Sequence, residues 1–144
     1  MTEVRVETLI NAPAEKIWSV LTDFDDYHEW NPLIPEIHCR KKIGSFVKVK
    51  IKIGNMTLPI MAKTTDFTIN KRFAWGGPDI KLVNLILNAE HYFEIKKVDK
   101  NQCLFIHGER FNGIIPKVLW PLISKLESNY GTMNSALKQE VEQE

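Results

Sequence analysis

The chain has 144 residues, 44% hydrophobic and 26% charged, with 19 Lys and Arg against 18 Asp and Glu. That is one domain of ordinary globular composition, long enough to bury a core without disulfide or metal staples. The net charge of +1 argues against a nonspecific nucleic-acid binder, the hydrophobic content argues against disorder, and no apolar run approaches the roughly 20 residues of a membrane span.

Glu3 to Ile10 alternates Val4 and Val6 with polar residues and reads as a strand. Asn11 offers a cap and Pro13 suits a first helical turn, so a short helix is expected, with Ile17, Val20, Leu21 and Phe24 as its apolar stripe. Asp23 offers a cap for a second short helix through Tyr27, which Trp30-Asn31-Pro32 ends.

The middle of the chain reads as β. Ile43, Val47, Val49, Ile51 and Ile53 alternate with Lys48, Lys50 and Lys52. Gly54-Asn55 turns the chain into a strand over Leu58–Phe67, and a short strand follows at Arg72–Trp75, broken by Gly76-Gly77-Pro78. Leu82 to Val98 is predicted as one strand with Val83, Leu85, Leu87, Ala89, His91, Phe93 and Ile95 on one face. After the turn at Asp99–Asn101, Gln102–Phe111 puts Cys103, Phe105, His107, Glu109 and Phe111 on one face.

The rest reads as a long amphipathic helix: Ile115, Leu119, Leu122, Leu126, Tyr130, Met133, Leu137 and Val141 recur every three or four residues. Pro121 should kink or delay it, and Gly131 should weaken it. The order predicts an α+β fold, a curved antiparallel sheet of about seven strands around a long C-terminal helix. Such a grip leaves room for a pocket between sheet and helix.

INAPAEKIWSVLTDFDDYHEWNP resembles the opening of the START-like (SRPBCC) superfamily, in its polyketide cyclase/dehydrase and lipid-transport branch. FAWGG at Phe73–Gly77, HYFEI at His91–Ile95, LFIHGERFNG at Leu104–Gly113 and ESNYGTMNSALKQEVE extend the resemblance over residues 1–144. It implies a helix-grip fold with two short helices after strand 1. The branch includes hydrophobic-ligand binders, lipid carriers, aromatase/cyclases and co-chaperones.

Alternation places His91, His107 and Glu109 on otherwise apolar faces, with His91 opposite Glu109 or one pair away. The group reads either as a polar floor that holds a ligand's head or acts as acid and base, or as a buried His–Glu pair satisfying itself. Trp30, Phe73, Trp75, Phe93, Phe105, Phe111 and Tyr130 read either as pocket walls or as ordinary core. Arg110 falls on the face opposite Glu109, which reads as surface. Ile114–Ile123 reads as a gate, a membrane-touching edge, a partner surface or a cap on the sheet end. Arg40-Lys41-Lys42 with Lys48, Lys50 and Lys52 forms a basic face, either solvated or facing anionic lipid headgroups.

Cys39 and Cys103 form no CxxC pair, and MTEVRVETLI lacks the basic-then-apolar pattern of a secretory leader. A cytoplasmic protein with reduced thiols is expected, with no metal and no cofactor. The leading expectation is the binding, or transport, of a hydrophobic or amphipathic small molecule or lipid between sheet and helix. The alternatives are a cyclase/dehydrase-type enzyme using His91 or His107 as acid and base, and a protein-interaction module or co-chaperone.

Overall fold

The computed structural model describes residues 2–77 and 80–143. β1 (Thr2–Ile10) leads into α1 (Ala14–Leu21), a 3-10 turn (Phe24–Asp26) and α2 (Tyr27–Trp30). β2 (Glu36–Cys39), β3 (Phe46–Ile53), β4 (Met56–Thr68) and β5 (Arg72–Gly77) follow, then the one-turn α3 (Lys81–Asn84), β6 (Asn88–Asp99) and β7 (Gln102–Asn112). The chain closes with α4 (Ile114–Val118), α5 (Trp120–Ile123) and α6 (Leu126–Glu142). The strands form one antiparallel sheet in the order β1-β7-β6-β5-β4-β3-β2, the expected α+β helix-grip.

α6 buries Tyr130, Met133, Asn134, Leu137 and Val141, a stripe of three- and four-residue steps. Each apolar member contributes about 1.5–3 kcal/mol by burial. Lys138 Nζ donates to Leu9 O at 2.9 Å and pairs with Glu142, which accepts from the Asn11 backbone N–H at 3.0 Å. The far end of α6 is thus tied to the loop after β1. A Cβ on Gly131 would meet nothing closer than Val6 Cγ1 at 3.8 Å. Gly131→Ala is therefore expected to stabilise the protein by about 0.5–1 kcal/mol, read as a higher urea midpoint.

Several predicted elements change in the folded chain. Pro121 lacks an amide hydrogen and stands in the first turn of α5, so the expected single helix breaks between α4 and α5; a second break at Ser124–Lys125 sets off α6. The predicted strand over Leu82–Val98 begins only at Asn88. Val83, Leu85 and Leu87 belong to α3 and its exit, exposed rather than on an apolar strand face. There the chain satisfies backbone groups of its neighbour: Ile114 N and Ile115 N donate to Leu85 O and Ile86 O at 3.1 and 3.0 Å. Gly113 permits this approach with φ 104° and Ile86 O 2.4 Å from where a Cβ would sit. Ile43 lies exposed in the turn before β3, where Gly44 takes φ 84°. Pro13, not Asn11, stands at the N-cap of α1, and Asp23 makes no side-chain cap bond. Pro78, expected to help end β5, lies outside the described residues.

β4 carries a proline at position 59, which a central strand would not tolerate. Its first half explains this. Met56–Ala62 pairs with β3 alone, and β5 joins only from Lys63 onward, with a register shift between Thr64 and Asp66. The sheet is therefore open along one edge of β4, and that gap is a wall of the site described next.

On the face opposite α6, Tyr92 lies between the guanidinium groups of Arg72 and Arg110, 5.2 and 4.8 Å from its ring centre. Its hydroxyl donates to Glu3 at 2.6 Å, and Arg110 reaches the same carboxylate at 2.9 Å. Gly108 makes room for the ring, since a Cβ there would lie 2.4 Å from the Tyr92 hydroxyl. Arg110 is thus a surface group held in an ion pair, as its strand position predicts.

Candidate functional site

A cavity of about 400 Å³ lies between β3, β4, β5, β6, β7 and the start of α6. Its depth is lined by the buried Leu33, Ile51, Trp75, His91, Phe111 and Tyr130. Its mouth is lined by the exposed Ile60, Met61 and Leu87. The cavity exists because the first half of β4 separates from β5, so no ladder closes the sheet there. A second groove of about 830 Å³ runs past Asp23, His38, Arg40 and Lys48, all exposed side chains in solvent. It gathers no buried ionisable group, so the smaller cavity is the better site.

One wall of the cavity is polar. The β6–β7 register pairs His91 with Glu109 and Phe93 with His107. His91 Nδ1 stands 3.4 Å from Glu109 Oε1, and His91 Nε2 stands 2.7 Å from His107 Nε2. Tyr130 from α6 donates its hydroxyl to Glu109 Oε1. His107 Nδ1 lies 3.0 Å from Asn134 Oδ1, also on α6. Aromatic stacking locks these rings: Trp75 lies 4.7 Å from His91 at 5° between planes, and Tyr130 lies 4.3 Å from His107 at 12°.

The hydrogen bonds fix the protons. Asn134 Nδ2 donates to Val6 O at 3.3 Å and Thr8 Oγ1 at 3.1 Å, which turns its Oδ1 toward His107. His107 Nδ1 therefore carries hydrogen. Burial, reinforced by the neighbouring His91, pushes the His107 imidazole well below its ordinary value, so it is neutral and its Nε2 accepts from His91 Nε2–H. Burial pushes the Glu109 carboxyl up, but His91 and the Tyr130 hydroxyl outweigh it and hold it below the ordinary range. Burial and the adjacent Glu109 carboxylate raise the Tyr130 phenol well above its ordinary value, so it remains a donor.

The ten aromatic and ionisable residues singled out from the sequence divide by depth. Trp75, His91, Glu109, Phe111 and Tyr130 line the cavity. Phe73, Phe93, Phe105 and His107 have no exposed surface and stand behind that lining, in the core. Trp30 is half-buried against Tyr27, ring centres 5.3 Å apart, and is not part of the wall. Asn134 was not singled out, although an amide between Tyr130 and Leu137 on an apolar helix stripe is a readable signal. The walls from Ile51, Ile60 and Ala62 carry no chemical signature in the sequence. Among the described residues, no group of three His, Cys, Asp or Glu side chains is arranged to hold a metal ion. No helix among them is long and apolar enough to cross a membrane.

Solved structures share this architecture at low sequence identity. A START superfamily protein from Mycobacterium smegmatis matches with a TM-score of 0.75 at 20% identity, covering 97% of each chain. The Zhui aromatase/cyclase from Streptomyces sp. R1128 matches with a TM-score of 0.74 at 14% identity, over 98% of this chain and 93% of that one. Norcoclaurine synthase from Thalictrum flavum, solved with a transition-state analogue, matches with a TM-score of 0.70 at 14% identity, over 97% and 93%. These likenesses are of fold. No curated protein sequence matches the chain. The family model described as polyketide cyclase / dehydrase and lipid transport, however, matches residues 1–142. With the helix-grip sheet, this places the chain in the polyketide cyclase/dehydrase and lipid transport family.

Proposed function

We propose that the protein binds a hydrophobic or amphipathic small molecule in the cavity between β3–β7 and α6, with the molecule's polar end at Glu109, His91 and Tyr130. The supporting observation is a cavity of about 400 Å³ whose lining side chains are apolar except along that one wall. Apolar surface withdrawn from water supplies about 25 cal/mol per Å², less the cost of ordering the ligand. The polar wall fixes orientation. His107 and Asn134 do not touch the ligand in this reading; they hold His91. The unpaired thiols of Cys39 and Cys103 accord with work in the cytoplasm.

The test is ligand recovery. Native mass spectrometry of the purified protein should find a copurifying apolar molecule. Ala62→Phe, which puts a ring into a half-buried position on the cavity lining, should reduce its occupancy at least tenfold. Equal occupancy in the variant would mean the molecule sits elsewhere.

The contact of His91 with Glu109 on the cavity wall, 3.4 Å between Nδ1 and Oε1, favours a second reading, acid–base chemistry on a bound carbonyl compound of the cyclase/dehydrase type. In that case turnover follows a pH profile set by this pair and is lost in His91→Ala. Unchanged turnover in that variant rejects the assignment.

A further inference from the structure

The cavity mouth lies at the end of the sheet where β3 ends, β4 begins, β5 ends and α6 starts. There the β3–β4 hairpin reaches past β5, which pairs with β4 only from Lys63 onward. Met56, Leu58 and Ile60, on the cavity-facing side of β4 by alternation, therefore stay exposed. A second apolar rim is formed by the exit of α3 with α4 and α5, tied together where the Ile114 and Ile115 amides donate to Leu85 O and Ile86 O at 3.1 and 3.0 Å. Leu85, Val118 and Leu122 of this rim are 71%, 70% and 62% exposed. Ile60, Met61 and Leu87 join both rims to the cavity itself. Exposed apolar side chains gathered on this scale mark a binding surface. The rims also share a sign of charge. Residues 52–62, 80–87 and 114–126 hold Lys52, Lys81, Lys117 and Lys125 and no Asp or Glu; the nearest acids along the chain to each are Asp66, Asp79 and Glu127. Lys52, Lys117 and Lys125 are exposed. Glu90 and Glu109, at the same end of the sheet, are held by Arg72 and Thr65 and by Tyr130 and His91.

We propose that this end of the molecule docks on a lipid bilayer with anionic head groups. The apolar side chains of the rims enter the interface and the lysines meet the head groups. Docking goes beyond ligand binding in the cavity and rests on it in one respect: with the mouth against the hydrocarbon boundary, an apolar ligand passes between cavity and bilayer without crossing water. The unpaired backbone groups along the open edge of β4 limit the depth to the head-group region, where water and phosphate satisfy them. A second copy fits this surface less well, because two such faces bring lysines against lysines with no free carboxylate between them. A protein partner seated across both rims would cover the mouth. A bilayer asks no matched hydrogen bonds of hydrocarbon side chains, and its charge complements that of the rims.

Co-sedimentation of the purified protein with vesicles reads the docking, one set of phosphatidylcholine alone and one of its equimolar mixture with phosphatidylglycerol. The expected result is binding of the wild type to the mixed vesicles at least tenfold tighter than to the neutral ones. Leu85→Glu and Val118→Glu, each at an exposed position, should weaken that binding at least tenfold. Ile69→Glu, at an exposed apolar position in the turn between β4 and β5 at the opposite end of the sheet, should leave it unchanged. No binding by the wild type, equal binding to both vesicles, or an equal loss in Ile69→Glu would overturn the proposal. So would a dimer in analytical ultracentrifugation that Val118→Glu converts to monomer, which assigns the face to a second copy. The wild-type comparison decides even where a variant fails to fold. Native mass spectrometry of the same samples separates docking from the cavity reading. A copurifying ligand without vesicle binding overturns docking alone, whereas the expected vesicle binding without any recovered ligand supports docking and counts against the cavity reading.

Discussion

Phe93→Ala is expected to lower the unfolding free energy by about 3–5 kcal/mol, the range for deleting a fully buried phenylalanine. Phe93 has no exposed surface, and its ring centre lies 6.1 Å from Phe73, 5.5 Å from Trp75, 5.2 Å from His91, 6.0 Å from Phe105 and 4.7 Å from His107. Its removal opens a void on the side of Trp75 and His91 that faces away from the cavity. Five rings held in close packing cannot all move to fill that void. Phe111→Ala is the control. Phe111 already borders the cavity on one side, so fewer packing contacts are lost and the expected cost is smaller. Urea unfolding of the two variants with an unchanged m-value measures both. Equal costs would contradict the depth ordering of the two rings.

His107 is expected to make the fold sensitive to acid well before ordinary carboxylates titrate. His107 is neutral in the fold with its affinity for protons well below the ordinary 6.5. The unfolded chain therefore binds this proton first as pH falls. Stability attributable to His107 is complete above about pH 6.5 and declines below it, at up to about 1.4 kcal/mol per pH unit while the two states differ by one proton. Glu109, held below its ordinary 4.5 by His91 and Tyr130 against the effect of burial, adds a further loss once pH falls beneath 4.5. At the alkaline end the sign reverses: Tyr130 resists ionisation in the fold, so the unfolded chain gains stability above about pH 10. Between pH 7.5 and 5.5, urea unfolding should show a loss of stability larger by about 1 kcal/mol in the wild type than in His107→Gln. Parallel declines would place the acid sensitivity elsewhere.

That His91 lies opposite Glu109 or one pair away was legible from the short turn at Asp99–Asn101 and the alternation of both strands, and the register settles on the direct pairing. The lysine-rich face of β3 was legible for the same reason. The loop at Leu82–Leu87 was not: its apolar residues fit a strand pattern equally well, and only its contact with Ile114 and Ile115 distinguishes the two. β2 was missed because four residues with a single buried side chain, Ile37, carry too little periodicity to read.

The sequence by itself determined most of the elements and the faces they present: alternation and three- to four-residue spacing are local properties, written in neighbours along the chain. It likewise determined that two imidazoles and a carboxylate would share the side of the sheet that meets α6. Only the tertiary structure decided which of them faces the cavity. His91 and Glu109 reach the cavity, while His107, two residues before Glu109 on the same strand face, sits behind His91 and beneath Tyr130. That difference depends on where β4 parts from β5 and how α6 lies across β7, distances between residues far apart in the chain that no local pattern encodes.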